Sequence, residues 1–144
     1  MTKEQQLKLL AEMEARLLEL RMQLSTTPKY LWKTKAEAKR SVELICDEEK
    51  LSPADKKLIC AVIQAESGFK TNAIRQNTDK RKSKDYGICQ YNSYWYIGKG
   101  KPIASIDEAL NNPEKCVRVM LKQFKAGRLK DWVAYSGGAY KRWL

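Results

Sequence analysis

The chain of 144 residues carries 28 Lys and Arg against 17 Asp and Glu, a formal net charge of +11, and no histidine. Its length suits one domain of ordinary size with an appendage, and 43% apolar residues suffice for a packed core, which excludes global disorder. The missing histidine excludes Ser-His-Asp and Cys-His systems, His-ligated zinc and imidazole general bases, leaving carboxylates, Lys, Tyr, Cys or a bound cofactor to carry any chemistry.

Residues 1–50 read as an N-terminal helical extension and residues 51–144 as the main domain. The charge divides unevenly between them: ten basic and nine acidic side chains in the first part, 18 and eight in the second. Met1-Thr2-Lys3-Glu4 opens without the apolar segment of a signal peptide. Over residues 3–25, Leu10, Met13, Leu17, Leu20 and Leu24 alternate spacings of three and four, the seam of a short coiled coil. Packing of this helix against the rest of the chain is an equal alternative. Ser25-Thr26-Thr27-Pro28 breaks the pattern. A second helix spans about 34–49, with Ala38, Val42 and Ile45 on one face.

Ser52-Pro53 is a helix start, with Ser52 as cap and Pro53 in the first helical position. Leu58, Ile59, Ala61, Val62, Ile63 and Ala65 then surround the helix axis, which predicts burial until Ser67-Gly68. The longest apolar run, Leu58 to Ile63, is too short to cross a bilayer. Asn112-Pro113 opens another helix, striped by Val117, Met120, Leu121 and Phe124 and ended at Gly127. Between these helices the polar segment 70–101 carries turn residues and short β-prone pieces, a small hairpin-like insert. The four cysteines show no CxxC spacing; they read as buried free thiols, with one or two disulfides left open.

Two carboxylates stand out. Glu66 is the only acid between Lys56 and Thr78 and sits at the C-terminal end of the most apolar helix. Apolar surroundings and the negative end of a helix both disfavour its charged form, as a general acid requires. Asp85 lies 19 positions on, among Arg81, Lys82, Ser83 and Lys84, surroundings that keep a carboxylate ionised. Acids in contrasting environments are the pattern by which glycosidases separate acid and nucleophile. The plain alternatives are a solvated Glu and a turn Asp. Tyr91, Tyr94, Trp95, Tyr96, Trp132 and Tyr135 supply flat amphipathic rings suited to sugar stacking. Arg75, Lys80, Arg81, Lys82 and Lys84 read as a solvated basic loop, with phosphate contact the sharper reading.

Glu66-Ser67-Gly68-Phe69, Asn77-Thr78-Asp79, Asp85-Tyr86-Gly87, Gln90-Tyr91-Asn92-Ser93-Tyr94-Trp95-Tyr96 and Asp131-Trp132-Val133-Ala134-Tyr135 follow one another in the order found in c-type lysozymes, over about residues 55–136. The chain resembles the lysozyme-like superfamily, closest to c-type lysozymes and related to phage and bacterial lytic transglycosylases, which share the Glu-Ser and Gly-x-x-Gln motifs. The resemblance implies a mainly α (α+β) fold with a helical lobe, a small antiparallel β-hairpin lobe and a cleft between them. By position it makes Glu66 the general acid and Asp85 the second carboxylate. Asn77, Asp79, Ser83, Gln90, Asn92, Trp95, Tyr96, Asp131, Trp132 and Val133 become substrate-binding residues, Trp132 by packing against the acid. The family's disulfide pairing does not carry over, because Cys60 lies six residues before Glu66, one more than the family's helix cysteine.

The resemblance implies hydrolysis of the β-1,4 bond between N-acetylmuramic acid and N-acetylglucosamine by a phage or bacterial wall-lytic muramidase, with no metal and no cofactor. A lytic transglycosylase forming 1,6-anhydromuramyl products is the near alternative; a non-catalytic module binding glycan or nucleic acid is the distant one. The expected partner is anionic peptidoglycan, without nucleic acid or membrane insertion. Residues 3–25 are expected to serve weak self-association or virion attachment. The route is expected to be cytosolic synthesis followed by release to the wall, or carriage on a virion.

Overall fold

The structure is a computed structural model; it describes residues 1–26 and 28–144, with the side chains of 25 and 26 also left undescribed. The pattern break expected over 25–28 therefore falls partly outside the described residues. Six α-helices, three short strands and two 3-10 turns follow one another among the described residues. Helix α1 (Lys3–Thr26) stands outside the core: Leu10, Met13, Leu17, Leu20 and Leu24 are each at least 46% exposed.

Helix α2 (Lys35–Glu48) starts where Thr34 accepts a hydrogen bond from the main-chain N–H of Glu37. The chain entering it is pinned by Ser41, whose hydroxyl donates to Leu31 O at 2.7 Å and accepts from Leu31 N at 2.9 Å. Its face of Ala38, Val42, Ile45 and Cys46 is buried in the same core as the later helices. The segment 1–50 thus holds two different things: an exposed helix and a core helix. Arg118 of helix α5 (Pro113–Lys125) reinforces the attachment of α2, pairing with Glu48 at 2.8 Å and Glu49 at 2.9 Å.

Helix α3 (Pro53–Ser67) runs through the centre, buried at Ile59, Ala61, Val62, Ile63 and Glu66. Ser52 caps its first turn through Asp55 N, and Gly68 ends it in a left-handed conformation at φ +62°. Helix α5 starts in the same manner, with Asn112 accepting from Lys115 N ahead of Pro113, and buries Cys116, Val117, Met120 and Leu121. Leu58 and Phe124, assigned to apolar stripes by spacing, are only half-buried. Together α2, α3 and α5 form the helical lobe.

The insert is a three-stranded antiparallel sheet rather than a single hairpin: β1 (Ile74–Gln76), β2 (Lys84–Tyr86) and β3 (Tyr91–Asn92), in that order. The register sets Arg75 opposite Asp85 and Asp85 opposite Asn92. A six-residue helix, α4 (Ile106–Asn111), backs the sheet. The approach is so close that a Cβ on Gly87, at φ +83°, would lie 2.1 Å from Ala109 O. Glycine is the residue that both the dihedral and the space allow. A 3-10 turn (Leu129–Asp131), α6 (Val133–Ser136) and a last 3-10 turn (Ala139–Trp143) complete a mostly helical α+β fold. No helix among the described residues is long and apolar enough to cross a membrane.

Candidate active site

A cleft of about 500 Å³ opens between the sheet and the segment carrying the 3-10 turn and α6. Of the site residues expected from sequence, all but Ser83 line it.

Glu66 reaches the cleft from the last turn of α3, with its side chain only 2% exposed. Its Oε1 accepts the Ala134 main-chain N–H at 3.0 Å. Burial pushes this carboxyl above the ordinary range; the Ala134 N–H and the Arg75 charge oppose the shift, and the Asp85 charge adds to it. Ser67 ties the same helix end to the turn between β2 and β3, donating its hydroxyl to Ile88 O at 2.6 Å.

Asp85, on β2, is surrounded by donors. Oδ1 accepts from Asn77 Nδ2 and Asn92 Nδ2, each at 3.0 Å, and Oδ2 accepts from Arg75 Nη2 at 2.8 Å. Behind this ring, the Ser83 hydroxyl accepts from both amides at 3.2 and 3.1 Å and donates to Asp79 Oδ2 at 2.6 Å. Asp79 also accepts Ser83 N at 2.9 Å, and these two Ser83 donors hold its carboxyl below the ordinary range. Ser83 therefore acts from behind the cleft wall: it orients the amides that orient Asp85. Gln90 is similarly committed, its Nε2 bonded to Gly87 O at 2.9 Å and Ala73 O at 3.1 Å.

The aromatic wall has two parts. Trp132 is buried, donates Nε1–H to Cys89 O at 2.7 Å, and packs beside the rings of Tyr91 and Tyr96 at 5.8 and 5.7 Å. Tyr96 crosses to the 3-10 turn, donating its hydroxyl to Asp131 Oδ2 at 2.6 Å. Burial and that carboxylate push the Tyr96 phenol up, so it stays a donor. Trp95, 63% exposed, stands at the cleft edge with Val133, also exposed. The Arg81 guanidinium lies over the neighbouring Tyr94 ring at 4.3 Å and Trp95 at 5.4 Å.

Arg75 is the residue that sequence reasoning misplaced in a solvated loop. Its Nη2 lies 2.8 Å from Asp85 Oδ2 and 3.7 Å from Glu66 Oε2. Since one nitrogen reaches both, the facing carboxyl oxygens are no more than about 6.5 Å apart, a limit compatible with the retaining separation of about 5–5.5 Å. Only the strand register, Arg75 against Asp85, singles it out from the other cations nearby.

Other chemistries find little support among the described residues. The four cysteines are unpaired, and burial pushes the thiols up, Cys46 to about 12 and Cys60 to about 11, which makes poor nucleophiles at neutral pH. No group of three or more Cys, Asp and Glu side chains there is arranged to hold a metal ion. The arrangement suits acid catalysis by a buried carboxyl group opposite one held by three donors.

The chain is similar to known proteins in both sequence and fold. Residues 43–143 match the model of the Transglycosylase SLT domain family. Lysozyme C-1 of Anas platyrhynchos is 51% identical over 43 residues, 30% of this chain, and the match spans only 27% of that protein's length. The crystal structure of a lysozyme from Litopenaeus vannamei is similar at a TM-score of 0.52 and 27% identity, covering 72% of this chain and 84% of that one. With the family match extending over more than half of its length, the chain belongs to the Transglycosylase SLT domain family, within the lysozyme-like superfamily.

Proposed function

We propose that the protein cleaves peptidoglycan, hydrolysing the β-1,4 bond between N-acetylmuramic acid and N-acetylglucosamine. The observation that carries this reading is the unequal pair across the cleft: Glu66 buried with a raised pKa, and Asp85 held by three donors. Glu66 gives its proton to the glycosidic oxygen as the bond to the anomeric carbon breaks. Asp85 stabilises the positive charge that develops on the sugar, or bonds to the anomeric carbon. Glu66, now a carboxylate, takes a proton from the water that attacks this carbon and is restored to its starting state. Trp95 offers a ring for stacking sugar. The excess of basic residues after position 50 favours an anionic wall.

A second reading is favoured by the family match and by the guanidinium on Asp85: a lytic transglycosylase, in which the muramyl 6-hydroxyl attacks instead of water. Digestion of purified peptidoglycan in ¹⁸O-water separates the two by mass. Hydrolysis leaves one ¹⁸O on each new reducing end; transglycosylation leaves unlabelled 1,6-anhydro ends lacking one water. The exposed apolar residues of α1 offer a surface for weak self-association or virion attachment; delivery to the wall by virion carriage or by release from the cytosol belongs to the same proposal.

A further inference from the structure

The position of Arg75 creates a conflict in the free protein. Its one positive charge lies against Asp85, the group whose negative charge must serve a cationic sugar. The same nitrogen lies close to Glu66, so the guanidinium bridges the gap between the carboxyl groups that a reacting sugar has to enter. Both acids are nearly sealed, with side chains 8% and 2% exposed, whereas the Arg75 side chain is 47% exposed. Among the described residues only Nη2 bonds another side chain; Nε and Nη1 have no protein acceptor and are open to other partners. A flexible stem, one anchor and two donors without a protein acceptor describe a group that can leave.

What draws it off must be anionic. Leaving Asp85 for water forfeits a charge-assisted hydrogen bond, while a second carboxylate returns one and accepts the planar fork with two nitrogens. A muramyl sugar carries such a group on the ring being cleaved, a lactyl ether that ends in a free carboxylate once its stem peptide is removed. Neutral glycans of the same linkage carry none, and stem-peptide carboxylates lie many bonds further from the ring.

We propose that Arg75 is a specificity residue that masks Asp85 in the free protein and is drawn onto the lactyl carboxylate of the bound sugar, so that peptide-free muramyl glycan is the preferred substrate. The exchange frees Asp85 at the moment the sugar arrives. The proposal rests on the glycan-cleaving reading above. It also implies that an amide hydrolysis stripping stem peptides supplies the substrate.

The test compares peptide-free glycan strands with the same strands after chemical reduction of the lactyl carboxylate to an alcohol. The native protein is expected to favour the carboxylated strands about tenfold or more in kcat/KM, as a charge-assisted hydrogen bond implies. In Arg75→Gln the ratio falls towards one, by slower cleavage of the carboxylated strands and faster cleavage of the reduced ones. Equal rates in the native protein, or an unchanged ratio in the variant, overturn the proposal and leave the glycan-cleaving reading intact. If neither strand is cleaved, that reading fails, and binding to Glu66→Gln protein, read by tryptophan fluorescence, decides the matter. A carboxylate preference abolished by adding Arg75→Gln supports the exchange; equal affinities, or no binding, overturn it.

Discussion

Ala134, the second residue of α6, donates its main-chain N–H to Glu66 Oε1 at 3.0 Å across 68 positions of sequence. The C=O oxygen of a carboxylic acid is the better N–H acceptor, so this bond favours the proton of neutral Glu66 on Oε2. That is the oxygen facing Arg75 and Asp85. The bond from α6 therefore aims the acid as well as holding it.

Because burial raises the Glu66 carboxyl above its usual value of 4.5, proton donation fails only as the pH rises through the raised value. The same shift enters stability with a definite sign. A carboxyl raised on folding contributes stability that is full below 4.5 and lost as the pH rises through its folded value. Glu66→Gln, which keeps an acceptor for Ala134, is thus expected to melt above the native protein at pH 7 and level with it at pH 4. Melting temperatures of both proteins across this range check it; a constant difference contradicts it.

Asp85→Asn replaces one of two acceptor oxygens with an N–H₂ that faces donors on either side. The variant is expected to lose about 10²-fold or more in kcat, the usual range for removing one electrostatic stabiliser. Turnover on soluble glycan strands measures it. Full activity removes Asp85 from the chemistry and leaves the transglycosylase reading.

Trp132→Phe keeps the packed ring but leaves the buried Cys89 carbonyl without its 2.7 Å partner. An orphaned buried acceptor costs about 1–3 kcal/mol. Urea unfolding is expected to show a lower midpoint with an unchanged slope; an unchanged midpoint shows that the indole nitrogen is dispensable.

The helices were legible where local chemistry punctuates them. Ser52-Pro53 and Asn112-Pro113 each announce a cap that the structure contains. The sheet was only half legible, because strands of two and three residues are too short to show alternation. Their pairing depends on polar side chains, Asn77, Ser83 and Asn92, gathering round Asp85. Helix α4 was missed: its six residues are held by the Ser105 cap and by contact with the Gly87 turn, a tertiary relationship. In the site, Glu66 and Asp85 stood out by environment and by the order of motifs. Arg75 did not, since one cation among five looks like its neighbours until a register sets it opposite an acid.

Gly87→Ala tests that tertiary relationship. A Cβ 2.1 Å from Ala109 O, at a φ of +83°, requires the sheet to move away from α4. The loss is expected to exceed about 3 kcal/mol, beyond the usual range for one substitution. Denaturant unfolding measures it; a native-like midpoint means that the two elements separate freely.

The proposed glycan cleavage depends on one buried carboxyl group, Glu66. Release of soluble muramyl fragments from purified peptidoglycan, compared between native protein and a folded Glu66→Gln variant, tests it most directly. Release by the native protein and a loss of at least about 10²-fold in the variant are expected. Equal release by both proteins would contradict it.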